Sequence, residues 1–448
     1  MVKRRSGSWT TVLALALAPL MFFASSNAAE ASSDPATVGP HSGDSSIEIP
    51  ALLDLDWCLE RAREANPMLA RARAEASAAS HRVAPARALE DPRLAYEASN
   101  IPTGDWDFDS TPLSGHQIGL KQKLPMPGLL SNRERAATRN AEASELLVED
   151  RLRTTDGAVE IAWSELGFAQ RALEITERNI ALLRQLAATA ESRYRVGSGL
   201  QQDVLRAQVE LTALIQERLR REESIERAEA DLVALLDLSP ETELPRTVGL
   251  DLGDAVPELT PVLSSLDEHS ARLRASHKAV EAAKARVRVA ELEGLPDVDL
   301  GIGYRVRQNV SGDPVDGDDF VSAGFTIRLP VDRGKWRARV SERNALVRRA
   351  QAALRATRAE LAKRTRRAHA ELVRASSEEA LLSTGLVPQA RQSLESSRSA
   401  YKVGRIDFLS LLDSQVRLLD AELRLARARA DKRHAFASLE AAAGEKLR

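Results

Sequence analysis

The chain has 448 residues, 63 basic and 65 acidic side chains, a formal net charge of −2 and only 4% aromatic residues. Near-neutral charge removes the broad basic field that nucleic-acid binding requires. Ala, Leu, Arg and Glu dominate, a mixture that suits long helices packed through small residues better than several ordinary globular domains.

At the N-terminus Lys3, Arg4 and Arg5 precede an apolar stretch at 12–23 broken only by Pro19, and Ser26, Asn27 and Ala28 supply a small-residue cleavage site. The apolar run is shorter than the roughly 20 residues that a spanning helix needs, so residues 1–28 are expected to be an export signal. Residues 29–52, rich in Ser, Ala, Pro and Gly toward their start, are expected to be a flexible tether. No cysteine stands immediately after the cleavage site, so this signal offers no acylation point. The single cysteine, Cys58, lies in a helical pattern and reads as a small buried apolar residue rather than a reactive thiol.

From there one plan runs twice, over 53–250 and 251–448: a helix, a strand pair around a polar loop, a very long helix, a glycine break and a second long helix. Pro92 to Tyr96 matches Pro296 to Leu300 at an offset of 204, and Gly119 to Pro125 matches Gly324 to Pro330 at 205. Tyr194 and Gly197 match Tyr401 and Gly404 at 207. Anchors at nearly one offset identify an internal duplication. Between Leu129 and Tyr194 there is no proline, and aliphatic residues recur at helical spacing (Ile180, Leu183, Leu186, Ala190). Such a stretch, and the one from Lys335 to Tyr401, would each reach about 100 Å, a length that belongs to a coiled coil or a helical tube. Gly197 and Gly404 suit left-handed C-caps, so each long helix is expected to turn back there into a partner helix. Residues 238–261 are expected to form a short irregular belt.

The strand segments alternate. Val298, Leu300, Ile302, Tyr304 and Val306 oppose Asp299, Gly301, Gly303, Arg305 and Arg307; Val321, Ala323, Phe325, Ile327 and Leu329 oppose Ser322, Gly324, Thr326 and Arg328. In the first copy Leu94, Tyr96 and Ala98 oppose Arg93 and Glu97, and Ile118, Leu120 and Leu124 oppose Lys121 and Lys123. Segments of this length and period fit tilted strands of an outer-membrane barrel, with Arg93, Glu97, Lys121, Lys123, Asp299, Arg305, Arg307 and Arg328 as candidate lumen residues. The loops at 100–114 and 309–319 are expected to be extracellular. Four strands cannot close a barrel with a lumen and lipid tolerates no open edge, so several chains must share one. Three would give twelve strands.

No phosphate-cradling glycine loop, nucleophile elbow or metal-binding histidine pair is present, so neither an enzyme nor a cofactor or metal site is expected. The rival outside the membrane is a periplasmic coiled-coil adaptor or scaffold.

The chain resembles the TolC-like outer-membrane efflux family over nearly its whole mature length. The resemblance is carried by Asn66-Pro67, Pro92, Gln122 to Pro127, the two Tyr-x-Val-Gly tips and Leu411 to Gln415. It implies a homotrimer with a twelve-stranded barrel in the outer membrane and a helical tunnel in the periplasm. The tunnel tips, here Tyr194, Gly197, Tyr401 and Gly404, would engage a periplasmic adaptor and through it an inner-membrane pump. Family members ring the closed entrance with acidic residues. Asp413 matches one such position, Ser410 stands where another acid is frequent, and Asp203 is the first-copy candidate. The stretch 116–128 looks most like the heavy-metal (Cus/Czc-type) branch, with drug efflux and type I protein secretion left open.

Overall fold

The computed structural model describes residues 48–447, apart from 105, 107, 109, 110, 254, 255 and 316. The expected export signal and most of the tether lie outside the described residues. The first copy opens with α1 (Leu55–Ala65), α2 (Pro67–His81) and the short α3 (Val83–Arg87). Asn66 and Pro67 divide α1 from α2. The Asn66 side-chain oxygen accepts from the amides of Met68 and Leu69 at 3.0 and 3.2 Å, and Pro67 takes the first helical position, where no N–H is needed.

Strands β1 (Arg93–Ser99) and β2 (Gly115–Leu124) lead into α4 (Leu129–Arg195), 67 uninterrupted residues and therefore about 100 Å of helix. Gly157 sits inside it because α10 (Phe408–Ala443) crosses closely there. A Cβ on Gly157 would stand 3.2 Å from Ala441 Cβ and 3.4 Å from the Ala437 carbonyl oxygen. Helix α5 (Gln201–Leu236) runs back along α4. The second copy repeats the order with α6 (Leu259–His269), α7 (Ala271–Glu293), β3 (Asp297–Val306), β4 (Phe320–Arg328), α8 (Arg333–Leu381), α9 (Val387–Lys402) and α10.

The second long helix departs from the expected uninterrupted run. A single π-helical turn, Leu382–Leu386, separates α8 from α9, and the Val387 amide donates five residues back to the Leu382 carbonyl. Pro388 is the cause: it has no N–H and its ring would collide with the carbonyl four residues earlier, a conflict that a wider turn relieves. The Thr384 hydroxyl takes up the Ala380 carbonyl at 2.7 Å.

All four strands form one antiparallel sheet in chain order, so the β2–β3 pairing joins the two copies. The register sorts the faces. Leu94 opposes Leu120, Tyr96 opposes Ile118, Ile118 opposes Tyr304, Leu120 opposes Ile302, and Leu300 opposes Phe325. Apolar residues thus share one face across the sheet. The other carries Arg93, Glu97, Lys121, Lys123, Asp299, Arg305 and Arg328 between small residues. No helix among the described residues is long and apolar enough to cross a membrane, which says nothing about strands.

Midway along the long helices, Leu53, Cys58, Val159, Trp163, Leu166, Leu232 and Leu236 form one core. The Trp163 indole donates to the Leu53 carbonyl at 3.0 Å, and Leu53 pairs with Thr247 of the segment 238–258. Arg433 of α10 fixes the same segment by donating to the carbonyls of Leu250 and Asp251 at 2.8 and 2.7 Å. Burial pushes the Cys58 thiol up to about 12, so it stays protonated and unreactive.

Candidate functional site

Both glycine breaks build the same turn. Gly197 and Gly404 take φ of +73° and +76°. In the first, the Gly197 amide donates to the Tyr194 carbonyl at 3.0 Å and the Ser198 amide to the Arg193 carbonyl at 2.9 Å. In the second, Gly404 donates to Tyr401 at 3.0 Å and Arg405 to Ala400 at 2.9 Å. These are paired Schellman closures, and only glycine adopts the left-handed position without strain.

The two tips lie against each other. Ile180, Leu183, Leu186, Ala207 and Leu214 of the first hairpin share a core with Leu394, Tyr401, Phe408, Leu411 and Leu418 of the second. Arg193 fastens them: its guanidinium donates to the Tyr401 carbonyl, stands 4.7 Å from the centre of the Tyr401 ring, and donates to the Ser198 carbonyl at 3.3 Å. Tyr401 packs edge-on against Phe408 at 5.7 Å and is 3% exposed, whereas Tyr194 is 45% exposed. Among the proposed adaptor-contact residues, then, Tyr194 is open at the surface of the single chain and Tyr401 is enclosed. Burial raises the Tyr401 phenol above its ordinary pKa, the Asp203 carboxylate adds to the rise, and Arg193 opposes it.

The two acidic gate candidates fall on different helices. Asp203 occupies the first turn of α5, half-buried, where its charge reaches Tyr401. Asp413, on the second turn of α10, is exposed and holds Arg417 at 2.7 Å, one helical turn on. An exposed pair of this kind contributes little to stability, and the cation offsets part of the charge that Asp413 presents to solution. Sequence reasoning passed over Arg193. Its position one residue before Tyr194 carries no motif, and the contact spans 208 residues of chain.

On the polar face of the sheet, Asp297 is held by Arg328 at 2.7 Å and faces Lys123 at 3.6 Å; Lys123 also reaches Glu90 at 3.2 Å. Arg305 donates two hydrogen bonds to the Gln117 side-chain amide oxygen at 3.2 and 2.9 Å. Arg307 does not join this face. One residue past β3, its side chain is 3% exposed, pairs with Asp313 at 2.7 Å, donates to the Asp318 carbonyl at 2.9 Å and to the Pro112 carbonyl, and lies over the Phe320 ring at 4.2 Å. It ties the loop after β1 to the loop after β3. No group of His, Cys, Asp and Glu able to hold a metal ion occurs among the described residues.

The family model described as outer membrane efflux protein matches residues 58–237 and 262–445, one match in each copy. Protein CyaE of Bordetella pertussis is 28% identical over 247 residues, 54% of this chain and 51% of that protein, so the chain spans about half the length of the curated relative it matches. Among solved structures, the outer-membrane channel OprN is similar with a TM-score of 0.75 at 21% identity, over 87% of this chain and 89% of that one. CusC is similar with a TM-score of 0.75 at 17% identity, over 89% and 96%. The outer membrane protein VceC of Vibrio cholerae gives 0.72 at 21%, over 88% and 97%.

Proposed function

The chain belongs to the outer membrane efflux protein family, and from that premise we propose that three copies of it form one passive duct through the outer membrane. The observation that carries this reading is the sheet. It has an apolar face exposed at Tyr96, Ile302, Phe325 and Ile327, and β1 and β4 each present an unpaired edge. Lipid excludes open edges, so β4 of one copy must pair with β1 of the next until the ring closes. The polar faces then line the lumen, and the paired long helices continue it as a tunnel in the periplasm. The helix tips meet a periplasmic adaptor, which couples the duct to an inner-membrane pump. Asp203 and Asp413 supply negative charge at that mouth and draw cations toward it. Nothing in this arrangement requires chemistry on the cargo.

The test is single-channel conductance of the detergent-extracted protein in planar bilayers, with the oligomer mass measured alongside. A trimer with steady conductance, blocked from one side by polyvalent cations and less so in Asp413→Asn, is expected. A water-soluble monomer without conductance would overturn the duct.

A further inference from the structure

The helices that leave the sheet carry very different charge. Residues 333–355, the start of α8, hold eight lysines and arginines and one acid, Glu342; the matching residues 128–150 of α4 hold three and five. Elsewhere the arginines of this chain are mostly paired. Arg328 just before this stretch holds Asp297 and Arg358 just after it holds Asp267, yet among the described residues no cation between them has a carboxylate in ion-pairing reach. A run of unpaired cations repels itself and persists where an external anion offsets it.

Its position identifies that anion. The apolar face of β4 runs through Phe325 and Ile327 to Leu329 and Val331, which are 67% and 85% exposed, and Arg333 follows two residues later. Arg333 and Arg337 are exposed, one turn apart and about 6 Å in height, close to the depth of a headgroup layer beside the hydrocarbon. Trp336 between them is half-buried, with Arg328 of the polar face at 5.7 Å, Lys335 at 5.4 Å and Arg339 at 5.1 Å from its ring. It seats the start of α8 on the end of the sheet while Arg333 and Arg337 stay exposed. At the equivalent positions the first copy has Gly128 and Asn132 (333 − 205 and 337 − 205).

We propose that Arg333 and Arg337, assisted by Lys335, bind the headgroups of anionic phospholipids in the leaflet at the helical end of the barrel. The site rests on the membrane-duct reading and adds to it a lipid class and a place, carried once per chain by the second copy alone. Arg348, about 22 Å further along α8, lies beyond the headgroup layer and takes no part.

The experiment reconstitutes the full chain into phosphatidylcholine nanodiscs with and without phosphatidylglycerol and counts retained lipids by native mass spectrometry. Conductance and oligomer mass are recorded from the same preparations. The wild type is expected to retain phosphatidylglycerol over phosphatidylcholine by on the order of tenfold. R333Q/R337Q loses that preference while still conducting, and R348Q/R349Q keeps it. Equal retention by a conducting wild type and R333Q/R337Q would overturn the site and leave the duct standing. So would R333Q/R337Q trimers that fall apart in lipid-free detergent, because the cations would then be facing acids of a neighbouring copy. Failure of every preparation to insert or conduct would overturn the duct, and this site with it.

Discussion

Tyr194 and Tyr401 end helices of the same plan, one turn before glycines of nearly the same φ, yet one ring is 45% exposed and the other 3%. The backbone requirement has been kept in both copies because a left-handed turn accepts little besides glycine. Side chains around that turn are under no such constraint. Arg193 of the first tip corresponds to Ala400 of the second (400 − 207 = 193), so a single arginine reaches across and encloses the other copy's tyrosine. The same division holds higher up, where α4 is continuous and its counterpart carries the π-helical turn before Pro388. Duplication has conserved the geometry and left the contacts free to differ.

The sharpest way to break that comparison is at the far ends of the returning helices. Asp237 and Gly444 are equivalent (444 − 207 = 237) and both left-handed, at φ of +52° and +81°. A Cβ on Gly444 would meet Ser270 Cα at 2.9 Å and the His269 carbonyl at 3.1 Å, both backbone atoms that cannot yield cheaply. Gly444→Ala is expected to cost about 2–3 kcal/mol, strain and overlap together. Asp237→Gly, which relieves the same strain in the first copy, is expected to gain about 0.5–1 kcal/mol. Unfolding midpoints in detergent measure both. A Gly444→Ala protein as stable as the wild type would mean that the two ends are closed by the same forces.

The tip staple offers a smaller effect with a clearer functional readout. Arg193→Ala removes the guanidinium from the Tyr401 carbonyl and ring and should weaken the docking of the two hairpins by about 1–2 kcal/mol. In bilayers the variant should conduct at rest more than the wild type. Ala400→Arg, the reciprocal change, has no enclosed tyrosine opposite and should do neither. Equal behaviour of the two variants would remove the asymmetry at its source.

The parts of this molecule that could be read in the sequence are those set by local period. Alternation placed Leu94, Tyr96, Ile118, Leu300 and Phe325 on one face, and the strand register bears it out because a slip of one residue would invert every side chain. His116 and Gln122 are exceptions on that face. Each has a hydrogen-bond partner nearby, His116 Nδ1 in the Tyr96 hydroxyl at 2.7 Å and the Gln122 amide in the Glu90 carbonyl at 2.9 Å. Arg307 had the right parity for the polar face and was claimed by acids from its own loop, a closure that no period encodes. The π-helical turn did have a signal, Pro388 inside an otherwise helical run. The Arg193–Tyr401 contact had none, since it exists only once both hairpins are docked.

The smallest expected difference concerns how the returning helices begin. Asp407 caps α10, accepting from the Ser410 amide at 3.0 Å, while its counterpart Leu200 gives α5 no side-chain cap. Donation from the Ser410 hydroxyl and amide, with help from the charge of Arg206, holds the Asp407 carboxyl below its usual pKa. A carboxylate whose folded pKa is depressed adds stability above its unfolded value of about 3.9 and loses it as pH falls through the folded one. Acidification from pH 6 toward 3 should therefore fray the start of α10 and leave the start of α5 nearly unchanged. Hydrogen exchange at 408–411 and 201–204, corrected for intrinsic rates, reads this directly. In Asp407→Ala the α10 amides should exchange quickly at every pH, which would make the two tips alike at the one point where the second is better closed. A pH response that survives the substitution would assign it to another group, and the half-buried Asp203 beside Tyr401 would be the next to replace.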